Sequence, residues 1–201
     1  MTWIKTIPYR EADPKLKKIY DRVKSPDGQI DNILLAHSLR PHTLTGHMAL
    51  YKNVLHHFHN TLPKWYLETI GVLVSLLNKC DYCVQHHFHG LKRLLQNDAR
   101  ADEIYAVLQS GHYSKIFEGK YYAGLRYAKE LTLLPHAIDE NNMDLLRNAG
   151  LTDGQILEIN QVTAYFNYAN RTVLGLGVST GNEVLGLSPG DDDNEKNWVH
   201  A

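Results

Sequence analysis

Two cysteines, Cys80 and Cys83, lie in the segment 78–89, which reads NKCDYCVQHHFH, and they are the only cysteines of the 201-residue chain. His87 follows Cys83 by four positions, so a helix would place both side chains on one face, one turn apart. Glu68 lies twelve positions before Cys80, inside an otherwise apolar run. Two thiols, an imidazole and a carboxylate at these spacings can carry out redox or metal chemistry.

The residues after Lys79 predict a helix that begins at or near Cys80 and holds Cys83 in its first turn. Free backbone N–H groups and the helix dipole favour an anion there, and a neighbouring thiol can share the proton. Together they can bring a cysteine pKa from about 8.5 toward neutrality. His87 can then accept the proton of Cys83, while Glu68 takes or orients the proton on the other ring nitrogen. A buried Glu68 needs such a partner, because an unpaired carboxylate is costly to bury.

A thiolate with a second thiol in reach is suited to reducing a peroxide. Cys83 would attack the outer oxygen and become a sulfenic acid, and Cys80 would condense with it to a disulfide. An external dithiol must then reopen the bridge. The residues are therefore compatible with a peroxide-reducing thiol pair, and together with the family resemblance described below they give the first hypothesis, a cytosolic antioxidant enzyme that reduces organic hydroperoxides.

A metal site is the alternative for the same residues. Cys80, Cys83 and His87 can supply three zinc ligands, with Glu68 or His57 as the fourth. The second ligand pair of a typical structural zinc site is missing downstream. Covalent haem is excluded by pattern, because Cys83 is followed by a valine, and the helical pattern before Cys80 disfavours a thioredoxin fold.

The remaining histidines of this region are interpreted by their expected position in the helices. His86 and His89 fall on other faces of the predicted helix, where solvent is the expected environment. The cluster His56-His57-Phe58-His59 is interpreted as a helix end, where imidazoles complement the helix dipole.

Composition limits the class of protein. The chain has 43% apolar and 21% charged residues and a formal net charge of −1, which is ordinary for a globular protein and indicates neither a nucleic acid nor an anionic membrane as partner. No apolar run reaches the roughly 18 residues that would span a bilayer. The N-terminus lacks the pattern of a secretory signal, and two cysteines are not a disulfide framework. A cytoplasmic location is therefore predicted.

Helical signals cover the rest of the chain. Asp13-Pro14, Pro41, Thr61-Leu62-Pro63 and a capping box over 152–155 mark helix starts, and further helices are predicted at 33–39, 102–108, 121–134 and 139–148. The predicted fold is an all-α, single-domain bundle of about eight or nine helices over 1–187, followed by an acidic flexible tail, 188–201. With an offset of 90, Leu67, Glu68 and Val72 align with Leu157, Glu158 and Val162, which is weak support for duplicated helical hairpins.

The spacing of Glu68, Cys80, Cys83 and His87 resembles the signature of the alkylhydroperoxidase AhpD-like family, within the carboxymuconolactone decarboxylase superfamily. The segment 164–177 resembles the closing helix of the peroxidase-related branch of that family; it carries Tyr165-Phe166-Asn167 and Asn170-Arg171. The resemblance extends from about Asp13 to Val178. It implies an all-helical AhpD-like fold, a homo-oligomer (trimer, dimer or hexamer) and a thiol-dependent peroxidase activity without a cofactor.

Carried over to this chain, the resemblance implies that Cys83 forms the sulfenic acid and that Cys80 is proton donor and resolving thiol. His87 and Glu68 would form the proton relay. The implied partners are a hydroperoxide substrate and an external dithiol or protein reductant. One departure is Tyr82, which stands where well-known members have a histidine; a tyrosine is a poor base near neutral pH, so the relay is weaker or the substrate differs.

Two other functions compete with the peroxidase. A metal-binding or redox-sensing helical oligomer would use the same thiols without peroxidase turnover. A lactone decarboxylase-type enzyme ranks last, because those relatives do not use a cysteine pair. The roles of Asn170 and Arg171, at the site or only between helices, stay open at this level.

Overall fold

Nine α-helices form the part of the protein that the structure, a computed structural model, describes, namely residues 1–189 and 197–199. Their bounds are α1 Pro14–Val23, α2 Asn32–Ala36, α3 Pro41–Tyr51, α4 Lys64–Leu77, α5 Asp81–Leu95, α6 Asp98–Ser110, α7 Gly119–Leu133, α8 Glu140–Asn148 and α9 Asp153–Leu176. A π-helical turn, Lys52–His56, continues α3. Within these described residues there is an isolated bridge at Pro189 but no strand, so the all-α prediction is confirmed.

Local capping sets the helix boundaries. Asp13 caps α1 by accepting from the backbone N–H of Leu16 at 2.7 Å, as predicted. Thr152 and Gln155 form the predicted capping box of α9. Helix α6 begins at Asp98 instead of the predicted 102. The side chain of Asn97 accepts a hydrogen bond from the backbone N–H of Arg100 and so caps the helix at this earlier position.

Helix α4 lies at the centre of the bundle. It packs against α5, α6, α7 and α9, and this explains why its sequence is apolar nearly all round. Gly71 permits the closest approach, because a Cβ atom at this position would lie 2.3 Å from Cζ of Phe166 on α9. Phe166 is thereby held against the middle of α4, beside Glu68 one turn earlier.

A tight turn joins α4 to α5 and delivers the cysteines. Lys79 adopts a left-handed conformation (φ 56°), and the N–H of Cys80 donates to the carbonyl of Ser75 at 2.9 Å. The N–H of Lys79 donates to the carbonyl of Leu76 at 3.1 Å. This is the hydrogen-bond pattern of a Schellman motif, with lysine at the position that glycine usually occupies. Cys80 leaves the motif as the N-cap of α5.

The second glutamate of the internal repeat has a different role from the first. Glu158 on α9 accepts from the N–H groups of Thr61 and Leu62, each at 2.8 Å. These contacts fix the segment that leads into α4. Glu158 is therefore a structural residue at the helix surface.

Residues near the C-terminus return to the bundle. Trp198 is 3% exposed, and the guanidinium of Arg22 lies 3.7 Å from the centre of its ring. The buried Lys52 donates to the carbonyl of Asn197 at 3.1 Å. At these positions the chain packs on the bundle, unlike the flexible tail predicted for 188–201, because the indole has a large apolar surface to bury. The acidic residues 191–193 and 195 lie outside the described residues, and the boundary at 187 stays a prediction.

A search of the described helices for a membrane span finds none that is both long and apolar enough.

Candidate active site

The two cysteine sulfurs lie 3.0 Å apart, and both thiols are free. Cys80 is fully buried and Cys83 is 3% exposed. Cys80 is the N-cap of α5 and Cys83 lies in the first turn, which is the placement that the sequence predicts. A distance of 3.0 Å allows the sulfurs to share a proton and requires a movement of only about 1 Å to reach the ~2.05 Å of a disulfide.

The two thiols differ in acidity. The pKa of Cys80 is lowered, chiefly by its hydrogen bond with the Cys83 thiol; burial opposes this, and the backbone N–H of Cys83 adds to it. The same hydrogen bond, together with burial, raises the pKa of Cys83 well above its ordinary value, and Asn170 acts in the opposite direction. The two shifts favour Cys80 as the thiolate of the pair, whereas the sequence interpretation places the thiolate on Cys83.

A small cavity of about 50 Å³ adjoins the pair, and Cys83 lines it. Its other walls carry His47, Tyr51, His87 and Tyr165 on one side and Asp31 and Tyr82 on the other. Cys80 is not among the lining residues. Access for a substrate is therefore to Cys83.

His87 is held by Glu68, as the spacing predicts. Its Nδ1 lies 2.8 Å from Oε2 of Glu68, whose side chain is 3% exposed. A carboxylate only accepts, so Nδ1 carries the proton and Nε2 remains the acceptor nitrogen. Phe166 meets the imidazole edge-on, with ring centres 4.5 Å apart, and so fixes the ring plane.

A second imidazole approaches the same carboxylate. His56 Nε2 lies 3.9 Å from Oε1 of Glu68, and the His56 side chain is 5% exposed. The prediction that the 56–59 cluster is a helix end is confirmed, because the π-helical turn ends at His56 and His57 is its C-cap. The burial of His56 in the interior was not predicted. Nothing in the sequence pattern distinguishes a π turn from a helix end, although such turns are frequent at functional sites.

Tyr82 has a different partner from the one expected of a relay residue. Its hydroxyl donates to Oε1 of Glu183 at 3.0 Å and accepts from the N–H of Ile33 at 3.2 Å. Burial raises the pKa of Tyr82 well above its ordinary value, with Glu183 and Asp31 adding to the effect. Tyr82 therefore stays protonated and links α5 to Glu183.

His86 is not solvated, so that prediction is wrong. Its side chain is 11% exposed, and Nε2 lies 3.6 Å from Oε2 of Glu183. The residues after α9 fold back over this face of α5, which a helical pattern alone cannot show. His89 is exposed, as predicted.

Asn170 and Arg171, whose roles the sequence leaves open, have different environments. Asn170 is fully buried; it donates to the hydroxyl of Ser75 at 3.1 Å and accepts from the side chain of Asn78 at 3.0 Å. It therefore lies beside the cysteine turn. Arg171 is exposed and donates to Asn167, one turn earlier on α9.

The donor atoms for a metal do not converge. Among residues 1–189 and 197–199, no group of three or more His, Cys, Asp or Glu side chains is arranged to hold an ion. His57, one of the predicted zinc ligands, instead stacks on Phe58, with ring centres 5.0 Å apart. The geometry therefore does not favour the metal alternative.

Comparisons with known proteins locate the chain by family and by fold. Residues 41–117, a range that includes Glu68, Cys80, Cys83 and His87, match the model of the carboxymuconolactone decarboxylase family. No curated protein sequence matches the chain.

Three solved structures share the fold. The first is the AhpD core, an uncharacterized peroxidase-related protein from Ralstonia eutropha JMP134 (TM-score 0.77, 22% identity, 90% of this chain and 93% of that one). The second is an uncharacterized peroxidase-related protein from Silicibacter sp. TM1040 (TM-score 0.76, 24% identity, 90% of this chain and 92% of that one). The third is the debrominase Bmp8 in complex with 2,3,4-tribromopyrrole (TM-score 0.70, 18% identity, 90% of this chain and 93% of that one).

Identities this low establish the fold and leave the reaction open. The family match covers the segment that holds the cysteine pair, and the fold similarity covers nine tenths of the chain. Residues 41–117 thus match the carboxymuconolactone decarboxylase family, and the chain as a whole has the fold of the AhpD-like structures.

Proposed function

We propose that the protein is a thiol-dependent peroxidase that reduces hydroperoxides through the Cys80–Cys83 pair. The observation that carries the proposal is the 3.0 Å sulfur pair at the edge of a cavity that also contains His87, itself held by Glu68. Hydroperoxide reduction needs a thiolate, a second thiol within reach and a group that carries a proton to the leaving oxygen. Each of these is present among the four residues.

In the first step, the proton of Cys83 passes to His87 Nε2 or to the Cys80 thiolate, and the Cys83 sulfur attacks the outer oxygen of the hydroperoxide. A sulfur–oxygen bond forms and the oxygen–oxygen bond breaks, so that sulfur is oxidised and the peroxide is reduced. The alkoxide takes up the transferred proton and leaves as an alcohol. Glu68 stabilises the positive charge that His87 carries in between.

In the second step, the Cys80 thiolate attacks the sulfenic sulfur of Cys83. A disulfide forms, and hydroxide leaves and is protonated to water. The lowered pKa of Cys80 favours this step, because it favours the thiolate that attacks the sulfenic acid. An external dithiol or protein reductant returns both thiols, a requirement that fits the predicted cytoplasmic location. The homo-oligomer implied by the family resemblance remains part of the proposal.

Mass spectrometry of the two cysteines after a limiting dose of organic hydroperoxide tests the reaction. One equivalent is expected to convert both thiols to one disulfide, and dithiol is expected to restore them. If peroxide causes no loss of thiol, whichever reductant has been used to prepare the protein, the proposal is wrong.

Variants separate the roles of the cysteines. Cys83→Ser is expected to abolish turnover, whereas Cys80→Ser is expected to stop after one oxidation and to leave a sulfenic acid on Cys83 that dimedone traps. The reverse pattern, with the trapped sulfenic acid on Cys80, would assign the attack to the other sulfur. Alkylation of each variant under denaturing conditions confirms that its remaining cysteine is present as a free thiol before the peroxide is added.

A debrominase with the same fold supports a second candidate, reductive dehalogenation. A thiol pair can deliver two electrons to a carbon–bromine bond as well as to an oxygen–oxygen bond. Incubation with a bromopyrrole and dithiol, with bromide release as the readout, tests this candidate. A redox sensor without turnover differs from both, since it would be oxidised once and would not accelerate peroxide loss in excess dithiol.

A further inference from the structure

The segment that follows α9 covers the cysteine cavity. Residues 181–188, here called the strap, run back across α5, and Gly186, Leu187 and Ser188 line the same cavity as Cys83. The backbone fit is close: a Cβ atom on Gly186 would lie 2.7 Å from the carbonyl carbon of His89 and 2.8 Å from the nitrogen of Gly90. Gly186 also has φ +78°, a conformation that side chains disfavour.

One carboxylate fastens the strap. Glu183 accepts from the Tyr82 hydroxyl at 3.0 Å and from the backbone N–H of Asn32 at the start of α2. Its second oxygen faces His86 Nε2 at 3.6 Å. Burial opposes the charge on Glu183, but these donors outweigh it, so its pKa is lowered and it stays a carboxylate. The fastening is therefore a set of hydrogen bonds to a charged acceptor, which are stronger than neutral ones.

With the strap in place, the space beside Cys83 is small. The cavity measures about 50 Å³, and one water molecule needs roughly 10–15 Å³ by this measure. Such a space suits hydrogen peroxide better than a hydroperoxide with a bulky alkyl or aryl group.

A larger space adjoins the outer side of the strap. A surface groove of about 270 Å³ is lined by Glu68, Gly90, Gly186 and Ser188, and the same four residues also line the inner cavity. Gly186 and Ser188 therefore stand between the two spaces. A displacement of the strap would join them into one site open to a bulky substrate.

We propose that Glu183 is a specificity-determining residue, which holds the strap over Cys83 and so limits the site to small peroxides until the strap opens. The peroxide selectivity in this proposal rests on the proposed peroxidase function, but the control of access to Cys83 does not. This explains why Tyr82 stands in place of the family's histidine: its hydroxyl serves the fastening instead of the relay.

The test compares alkylation of Cys83 by a small reagent, iodoacetamide, and a bulky one, fluorescein maleimide, with the labelled cysteine identified by mass spectrometry. The variants are Glu183→Gln, which keeps the shape but removes the charge, and Tyr82→Phe, which removes one donor. Gly186→Ala displaces the strap backbone independently of Glu183. Glu118→Gln, at the exposed position just before α7, is the matched control, because the Glu118 side chain makes no capping hydrogen bond.

The unmodified protein is expected to react with the bulky reagent far more slowly than with the small one. Glu183→Gln and Tyr82→Phe are each expected to speed up the bulky reagent by about 10- to 100-fold, the effect of weakening or losing a hydrogen bond to a charged group. Gly186→Ala is expected to speed it up as well, because the added methyl overlaps the backbone of α5. The small reagent and the control are expected to change by less than about 3-fold. Unfolding curves confirm that each variant is folded.

Equal rates for the two reagents in the unmodified protein would overturn the proposal, and so would bulky-reagent rates that none of the three strap variants alters. Peroxide kinetics add an independent reading: the ratio of kcat/KM for cumene hydroperoxide to that for hydrogen peroxide is expected to rise in Glu183→Gln. If labelling responds but no peroxide is reduced, the strap stands and the proposed peroxidase function fails. If peroxide is reduced but labelling does not respond, the strap proposal alone fails.

Discussion

Glu68 is the residue on which the chemistry of the site converges. It lies inside the most buried helix, with His87 at 2.8 Å from one oxygen and His56 at 3.9 Å from the other. A buried carboxylate is tolerated only when it is paired, and here the pairing fixes the tautomer of the imidazole that shares a cavity with Cys83. In the proposed reaction, the buried Glu68 therefore serves to hold His87 in the tautomer that can accept a proton.

Replacing Glu68 tests this reading. Glu68→Gln keeps the side-chain shape and one acceptor oxygen, but it removes the charge that stabilises protonated His87. We expect kcat/KM for hydroperoxide to fall by about 10²-fold or more, as for the loss of a general acid–base group. Stopped-flow measurement of peroxide-dependent thiol loss gives the rate.

The matched control for Glu68→Gln is His89→Gln, at an exposed position of α5. This substitution is expected to leave the rate of peroxide-dependent thiol loss unchanged. A rate for Glu68→Gln within about twofold of the unmodified protein would show that the carboxylate has no part in the reaction.

At the scale of elements, contact between α4 and α9 positions the site. Phe166 reaches both Gly71 on α4 and the ring of His87 on α5, so one ring sets the spacing of three helices. The Schellman turn at Lys79 sets the direction in which α5 leaves α4. The cysteine pair is therefore held by helix packing and not by a loop.

Gly71→Ala is expected to destabilise the protein by about 1–3 kcal/mol, because the added methyl overlaps the buried ring of Phe166. Gly46→Ala is the matched control: Gly46 is also helical, but nothing lies within 4 Å of an added Cβ. That substitution is expected to stabilise by about 0.5–1 kcal/mol through helix propensity. Urea unfolding of both variants measures the difference, and equal effects would show that the α4–α9 contact adapts freely.

Asp31, at the N-terminus of α2, makes stability depend on pH. Burial raises its pKa from 3.8 to about 6, partly offset by His86. Because the folded-state pKa is the higher one, the stability that Asp31 contributes is fully present below about pH 4 and is lost as pH rises to about 6. The loss has an upper limit of about 3 kcal/mol.

The Asp31→Asn variant has no ionisable group at this position, so its stability does not fall as pH rises through the pKa of Asp31. The variant is therefore expected to gain stability over the unmodified protein between pH 4.5 and 7.5, which urea unfolding at several pH values measures. A difference that does not change with pH would mean that Asp31 titrates normally in the folded protein.

On the scale of the whole molecule, both ends of the described chain are tied to the bundle. The backbone of Met1 pairs with that of Ser179 in both directions, at 3.2 and 3.0 Å, just before the strap begins. Near the other end, Trp198 is buried against Arg22 of α1. The strap therefore continues from a part of the chain that the N-terminal arm holds in place.

Trp198→Ala is expected to lower the free energy of unfolding by about 2–4 kcal/mol, since it removes a large buried side chain. Trp3→Ala is the control, because Trp3 is 79% exposed and its loss is expected to have a smaller effect. Unfolding in urea, followed by far-UV circular dichroism, compares the two. An equal effect of both variants would contradict the docking of residues 197–199.

The sequence by itself determined the helices and the local part of the site. Relations over three or four residues follow from helix geometry alone, so the placement of Cys80, Cys83 and His87 on α5 could be predicted. Glu68 could be predicted as well, because a carboxylate in a buried helix requires a partner. The all-α architecture followed from periodicity and capping.

Only the tertiary structure decided the rest. The approach of His56 depends on a π turn, and the contacts of His86 and Tyr82 depend on Glu183, which lies about one hundred positions later in the chain. Contacts between such distant positions depend on the path of the whole chain, which no local spacing encodes. The same holds for the charge of the thiol pair: burial and Asn170 from α9 help to decide which sulfur ionises first.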